Sequence, residues 1–600
     1  MALEYRIDAG QPARRELPVR LTARVQELPG ASPGGARLVE LFLPTWTPGS
    51  YLQREFSRHL SRVVAEDADA GRPLPCRKTT KNRVAVELDP GTKRVCISYF
   101  VYAHELSVRT ADATAEHAFW NHACLLLWPV GGDHLAAQIE VVFPHAWQLA
   151  CSLPQHAGPA RVDGLRSVVL AARNLAEACD APCLVGTFER REWTIGGVVH
   201  AIALDGLAGT VAPASLTSDL GAIVEQAAAV FGGGLPYASY LFLTLFAAEG
   251  HGGLEHGESS TLLVNRTAFS TPKGYREFLS LAAHELFHAW NVKRLRPAEF
   301  WQYDYEAENY TEFLWLIEGW TAYYDDLLCV RAGLATRADY LGAVATNVST
   351  MLGAPGRLRL SLRESSFDAW IRLYRPDENT RNSSQNYYGN GAVAAMCLDL
   401  WIRRESRGEK CLDHVLAGLW RTTFGRGRGY VLADVEQALD AVAGAAAVRF
   451  LHELIDDRLE PPLETLLAAF ALRMQWREQD RPWLGLQFET GSTAVASVVA
   501  GSPAADGGIH PGDEILALQG LRVDAGRWAD VLAAAGKGGG PIDVLLSRRG
   551  VIATCRVQPR ASPGTLAIEV DPAADAPAKA LLDAWVPDRK ATGAKPLITG

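Results

Sequence analysis

The chain has 600 residues, 48% hydrophobic and 21% charged, with a formal net charge of −9 and a pI near 6.0. That length exceeds what one hydrophobic core supports, so several domains are expected. The mild acidity argues against a nucleic-acid binder, and no apolar run reaches the roughly 18–20 residues of a membrane span, so neither nucleic acid nor membrane is an expected partner.

The opening Met1–Asp8 lacks a basic stretch followed by an apolar one, so no secretory signal is read. Ten cysteines run from Cys76 to Cys555 without a paired framework. Even Cys179 and Cys183, the nearest pair, fit no common zinc or redox spacing. Reduced thiols and a cytoplasmic location are the expectation.

Residues 1–170 read as all-β. Short alternating runs, Ala36–Leu43, Val84–Leu88, Val95–Tyr102 and Gln138–Phe143, are broken by Pro and Gly, the spacing of a β-sandwich. Between them, Trp46-Thr-Pro-Gly-Ser-Tyr51 reads as a tight turn plugged by aromatics.

Residues 171–475 read as strand-like segments followed by mainly helical patterns. Strand-like Tyr240–Phe246 and Thr261–Val264 precede the stretch Phe278-Leu-Ser-Leu-Ala-Ala-His-Glu-Leu-Phe-His-Ala-Trp-Asn291. No Gly or Pro occurs from Tyr275 to Arg296, and Pro297 then punctuates the chain, so a helix is expected over that span. His284 and His288, four residues apart, share one helical face and can hold a single zinc ion, with Glu285 beside it as general base. The segment is apolar nearly all round, and burial of two imidazoles and a carboxylate demands partners. A catalytic zinc needs a third ligand and an open position. Glu318, thirty residues beyond His288 in the apolar stretch Phe313-Leu-Trp-Leu-Ile-Glu-Gly-Trp-Thr-Ala-Tyr-Tyr324, is the candidate; an ion pair with Lys293 or Arg294 is the alternative for that carboxylate. Asp325, two turns further on, either orients a ligand imidazole or lies solvated at the helix end. Gly389 and Gly391 punctuate the chain before the apolar helix expected over Ala392–Ile402.

Residues 482–560 are separable. Trp483-Leu-Gly-Leu-Gln-Phe488 resembles the carboxylate-binding loop of a PDZ domain, and Gly501–Ala505 with Ile509–Leu516 match the PDZ pattern that follows. Such a module would take a C-terminal peptide as ligand, or serve as a spacer with an unused groove. Residues 561–600, rich in Ala, Pro and Gly with one helical patch over Ala578–Trp585, read as a tail docked on the body.

Taken in order, Leu43–Tyr51 with Arg54-Glu55-Phe56, Gly252-Gly-Leu-Glu-His256, the HELFHAWNVKRLRP stretch, LWLIEGWTAYY and Tyr387-Tyr-Gly-Asn-Gly391 resemble the glycyl aminopeptidase family of gluzincin metallopeptidases, whose members carry a PDZ module near the C-terminus. The resemblance implies a multidomain fold: an N-terminal β-sandwich, a thermolysin-like α+β catalytic domain with a helical lobe, and a C-terminal PDZ domain. It also implies one zinc ion per chain, and a loop at Trp46–Tyr51 that shapes the substrate cleft. Tyr388-Gly-Asn-Gly391 is similar to the Tyr-x-Lys-Gly motif that supplies an oxyanion donor in related aminopeptidases. Asn390 stands where lysine is usual, which leaves Tyr387 as the alternative to Tyr388. Gly252–His256 resembles the Gly-x-Met-Glu-Asn strand that lies along the substrate and aims its glutamate at the α-ammonium. That makes Glu255 the amine anchor, with Gly252 and Gly253 allowing close approach of substrate backbone. The expected function is a zinc metallo-aminopeptidase acting on peptides with a free N-terminus, Gly and Ala favoured. A PDZ-assisted zinc endopeptidase and a noncatalytic peptide-binding protein are the alternatives.

Overall fold

The computed structural model describes residues 3–29, 37–161 and 164–588. The chain divides into two compact units, Met1–Asn309 with Trp420–Val431, and Tyr310–Leu419 with Leu432–Ala591.

The first unit opens with β-structure. Leu3–Asp8 alternates buried and open positions, with Leu3, Tyr5 and Ile7 on the buried face. This two-residue period makes a strand covered on one side. It pairs antiparallel with Glu16–Arg24 and parallel with Ala137–Pro144 in an eight-stranded sheet. Two four-stranded sheets share that core through Val39, Leu41 and Val86 of one and Trp120 and Val185 of the other. The strand expected from Ala36 runs Arg37–Phe42, and Ala36 lies outside the described residues.

A second, five-stranded sheet follows in the same unit. Its spatial order is Glu189–Ile195, Val198–Asp205, Ser239–Ala247, Ser259–Asn265 and Gly252–Glu255. The middle three strands run parallel, and Tyr240–Phe246 is buried throughout, as a strand covered on both faces must be. Gly252–Glu255 pairs antiparallel with Ser259–Asn265 alone, so it forms an edge.

Against this edge lies the helix Pro272–Phe287. Pro272 takes the first helical position, where its missing N–H costs nothing, and Thr271 Oγ1 caps the Gly274 N–H at 3.0 Å. The expectation of helix to Arg296 is corrected: the helix ends at Phe287, with His288 as its cap. The Asn291 carbonyl accepts from His288 Nδ1 at 2.8 Å, and Val292 adopts a φ of 106°. A side-chain demand of the last turn thus takes a carbonyl out of helical register.

In the second unit, Leu314–Arg331 and Gly389–Glu405 are packed helices, both largely buried. The first has apolar residues on every face, the pattern of a core helix. Gly389 and Gly391 lie within the second helix, not before it. A Cβ on Gly319 would lie 2.6 Å from Gly391 Cα, so the backbones touch where the helices cross. Residues 484–557 carry a separate core built by Leu484, Val495, Ile515, Leu532, Val544 and Val557. After it the chain returns: Thr565–Val570 pairs with Leu472–Arg477, and the helix Ala576–Trp585 buries Trp585. Of the expected tail 561–600, residues 589–600 lie outside the described residues. Among the described residues no helix is long and apolar enough to cross a membrane. All ten cysteines are free thiols.

Candidate active site

In the first unit, His284 and His288 bring their Nε2 atoms to 3.2 Å with the rings at 81°. His288 is 1% exposed. Its Nδ1 donates to the Asn291 carbonyl, which fixes the tautomer and leaves Nε2 as a lone pair. Two imidazole nitrogens converging at this distance, one of them held as an acceptor, are the kind of donor pair a transition-metal ion takes. The residues present fit a zinc ion.

Glu285 points from the same helix toward the edge strand. A Cβ on Gly253 would overlap its carboxylate, so only glycine lets the strand pass. Ligand-type atoms of Glu255, Glu285 and His288 lie within 4.8 Å of one another, and all three residues are buried. Glu255 is 4% exposed. Among the described residues no hydrogen bond or ion pair from the chain reaches its carboxylate. Gly49, at φ 88°, lies against it: a side chain there would overlap the Glu255 oxygens. The Trp46–Tyr51 segment therefore borders this carboxylate. Gly252, at φ 143°, opens the strand and has free space where a Cβ would stand.

Lys293 and Arg294, the alternative partners for Glu318, are taken up within the first unit. Lys293 Nζ lies 2.5 Å from Asp180, and Arg294 Nη1 donates to the carbonyls of Gly257 and Ala289 at 2.8 Å each. Burial holds the Arg294 guanidinium below its ordinary pKa, with Asp180 and Glu258 opposing that shift. Asp180 was not legible as a site residue: its partners His256 and Lys293 are far away in sequence, and no local motif surrounds it.

In the second unit, Glu318 is 2% exposed on Leu314–Arg331. Tyr387 and Tyr388 stand at the start of Gly389–Glu405 with their rings stacked at 5.1 Å. Burial pushes both phenols well above their ordinary pKa, and the Glu318 carboxylate adds to it. Tyr387 is fully buried, and among the described residues its hydroxyl has no hydrogen-bond partner. Tyr388 is half-buried. Asn390, in the place where lysine is usual, donates to Gln385 Oε1 at 3.0 Å inside the protein. Asp325, also half-buried, lies on the helix of Glu318 seven residues on.

Two family models match the chain. The peptidase M61 N-terminal domain covers residues 4–187 and the M61 glycyl aminopeptidase model residues 277–394. Together they span half of the chain. The protein belongs to the M61 glycyl aminopeptidase family. It is a metallopeptidase. A crystal structure of an aminopeptidase N family protein from Idiomarina loihiensis is similar over 97% of this chain and 100% of its own, at 28% identity and a TM-score of 0.87. An M1 zinc metallopeptidase from Deinococcus radiodurans covers 77% of this M61 chain and 94% of its own, at 19% identity and a TM-score of 0.49. A mutant of that enzyme bound to a Tyr-Ser-Ala substrate gives 0.47 at the same identity and coverage. No curated protein sequence matches.

Proposed function

We propose that this M61 peptidase is a zinc aminopeptidase that removes N-terminal residues from peptides, with Gly and Ala preferred; the family name supports the glycine. His284, His288 and Glu318 are the candidate ligand set for one zinc ion per chain. When bound, zinc polarises the scissile carbonyl and activates water near neutral pH. Glu285 accepts the proton of the attacking water and returns it to the leaving amine. Tyr388 donates its hydroxyl proton in a hydrogen bond to the developing oxyanion. The raised phenol pKa keeps that donor protonated, and the partial exposure of Tyr388 favours it over the sealed Tyr387. Asp325 is read as orienting a ligand imidazole.

The observation that carries the aminopeptidase reading is Glu255. A carboxylate 4% exposed, paired with no cation among the described residues and within 4.8 Å of another buried carboxylate and His288, needs a positive partner from outside. The substrate α-ammonium has the required charge, and the edge strand Gly252–Glu255 presents the anchor at its end. Residues 482–560 are read as a PDZ module for a C-terminal peptide, supported by the Trp483–Phe488 resemblance. In that reading, strand Leu486–Phe488, paired among the described residues only with Val495–Val498, would accept the ligand. The free thiols suit a reducing cytoplasm.

The deciding experiment is turnover of matched glycyl peptides with free and acetylated N-termini. Removing one partner of a buried charge pair costs about 3–5 kcal/mol, a loss of roughly a hundredfold to a few thousandfold in kcat/KM. Glu255→Ala should show a similar loss on the free-amine peptide. Equal cleavage of blocked and free peptides by the unaltered enzyme would move the reading to an endopeptidase.

A further inference from the structure

Asp180 caps the short helix Leu175–Cys179, inside the segment that matches the family's N-terminal domain. Its carboxylate gathers three groups. Oδ1 takes the Lys293 ammonium at 2.5 Å and stands 3.3 Å from His256 Nδ1, while Oδ2 accepts the Gly257 N–H at 2.8 Å. His256 and Gly257 continue the edge strand directly from Glu255. Lys293 belongs to the turn that follows the zinc helix, and its N–H donates to the His288 carbonyl at 3.0 Å. His256 and Lys293 are both buried, at 1% and 7% exposure. Arg294 ties the same two segments again through Gly257 and Ala289.

This tie has work to do at the site. Glu255 and Glu285 are buried carboxylates with ligand-type atoms within 4.8 Å, and they repel whenever both are ionised. Among the described residues, nothing bonded to the Glu255 side chain resists that repulsion. The backbone on either side of Glu255 must therefore hold it, and Asp180 is the charged anchor on the C-terminal side.

We infer that Asp180 is a positioning residue for the aminopeptidase reaction, fixing the His256–Gly257 strand end to the turn after His288 and so setting where the Glu255 carboxylate stands. The inference rests on the reading of Glu255 as the amine anchor. It gives the N-terminal domain a part in substrate recognition through a residue that touches no substrate.

The test uses the full-length enzyme. Asp180→Asn alone leaves Lys293 without its buried partner, so Asp180→Asn/Lys293→Met is the main variant, and Asp180→Glu, which keeps the charge on a longer arm, is the second. Each is assayed on a free-amine glycyl peptide and its acetylated twin, with zinc content and thermal melting measured alongside. The expected result is unchanged zinc, with kcat/KM on the free amine reduced about ten- to a hundredfold, mostly through KM. Placed in a Glu255→Ala background, the same changes should cost less than about threefold, because both act through one interaction. An equal loss in both backgrounds, or an unchanged free-amine KM in either folded variant, overturns the positioning role. Failure of the amine-anchor reading is seen separately, as unaltered enzyme that cleaves the acetylated peptide as readily as the free one.

Discussion

Gly253 and Glu285 lie so close that a methyl group on the glycine would overlap the glutamate's carboxylate. The strand edge and the helix of Glu285 therefore meet through one absent side chain. Gly253→Ala must push Glu285 away from its position or bow the strand that carries Glu255. A displacement on the ångström scale costs about 10²-fold in a positioned reaction. Gly253→Ala should lower kcat by about that factor while zinc content stays at one per chain. Gly252→Ala meets open space but keeps φ at 143°, so its cost should appear in thermal stability, on the order of 1–3 kcal/mol. Unchanged kcat in Gly253→Ala would show that the base has room to spare.

The metal centre gives a second test. Chelation should abolish turnover and added zinc should restore it. His284→Ala, His288→Ala and Glu318→Ala should each lose metal on dialysis, read by elemental analysis. Glu285→Gln should retain zinc and lose about 10²–10⁴-fold in kcat, because the base is removed without removing a ligand. A fully active Glu285→Gln enzyme would end the proposed mechanism.

For the oxyanion donor, Tyr388→Phe should lower kcat by about 10²–10³-fold with little change in KM. Tyr387→Phe removes a buried hydroxyl that has no hydrogen-bond partner among the described residues, so it should be neutral or slightly stabilising. The reverse pattern would move the role to Tyr387.

Much of this arrangement is legible in the sequence, and the misses share one cause. The His284–His288 helix and the apolar helix of Glu318 announce themselves through local periodicity, as does the all-β character of the first 170 residues. What fails to show are positions decided by distant partners. The helix of His284 stops at Phe287, not Arg296, because His288 draws on the Asn291 carbonyl, a bond no propensity encodes. Gly391 reads as punctuation, yet it is where Gly389–Glu405 crosses Gly319, and only the pair of helices reveals that. Asp180 has no local signature at all, since its bonds reach across 76 residues to His256 and 113 to Lys293.

The first unit also contains a histidine held between two acids. His117 Nδ1 lies 2.5 Å from Asp205 and Nε2 lies 3.2 Å from Asp112, whose other oxygen takes Arg15 at 2.7 Å. Burial alone would lower the His117 pKa, but the two carboxylates outweigh it and hold it at about 9, above the ordinary 6.5. Because the folded value is raised, the stability from the imidazolium is fully present below about pH 6.5 and is lost as pH rises through about 9. His117→Gln should therefore depress the melting temperature strongly at pH 6 and little at pH 10. An equal depression at both values would mean that shape, not charge, is what His117 supplies.

The C-terminal helix offers the last test, because it bonds to the helix of Glu318 through Trp585 and to the helix that follows Tyr388 through Ala584. Trp585 is 1% exposed and donates from Nε1 to the Tyr323 hydroxyl at 2.9 Å. Tyr323 stands on the helix of Glu318 and donates in turn to Asp399 at 2.5 Å, on the helix that begins after Tyr388. Arg403, one turn beyond Asp399, pairs with it at 2.8 Å and donates to the Ala584 carbonyl at 3.3 Å. Phe470 and Tyr340 pack edge-on against the indole. Trp585→Ala should cost about 3–5 kcal/mol, the range for deleting a buried large aromatic. Trp585→Phe should cost about 1 kcal/mol, chiefly through the lost hydrogen bond. A chain stopped at Arg560 keeps all of residues 482–560 but lacks this helix and the Thr565–Val570 strand. It should melt well below the full protein and lose small-substrate turnover on warming before the full protein does. If that shortened chain melts with the full one, the segment after the 482–560 module is an ornament and not part of the core that holds Glu318 and Tyr388.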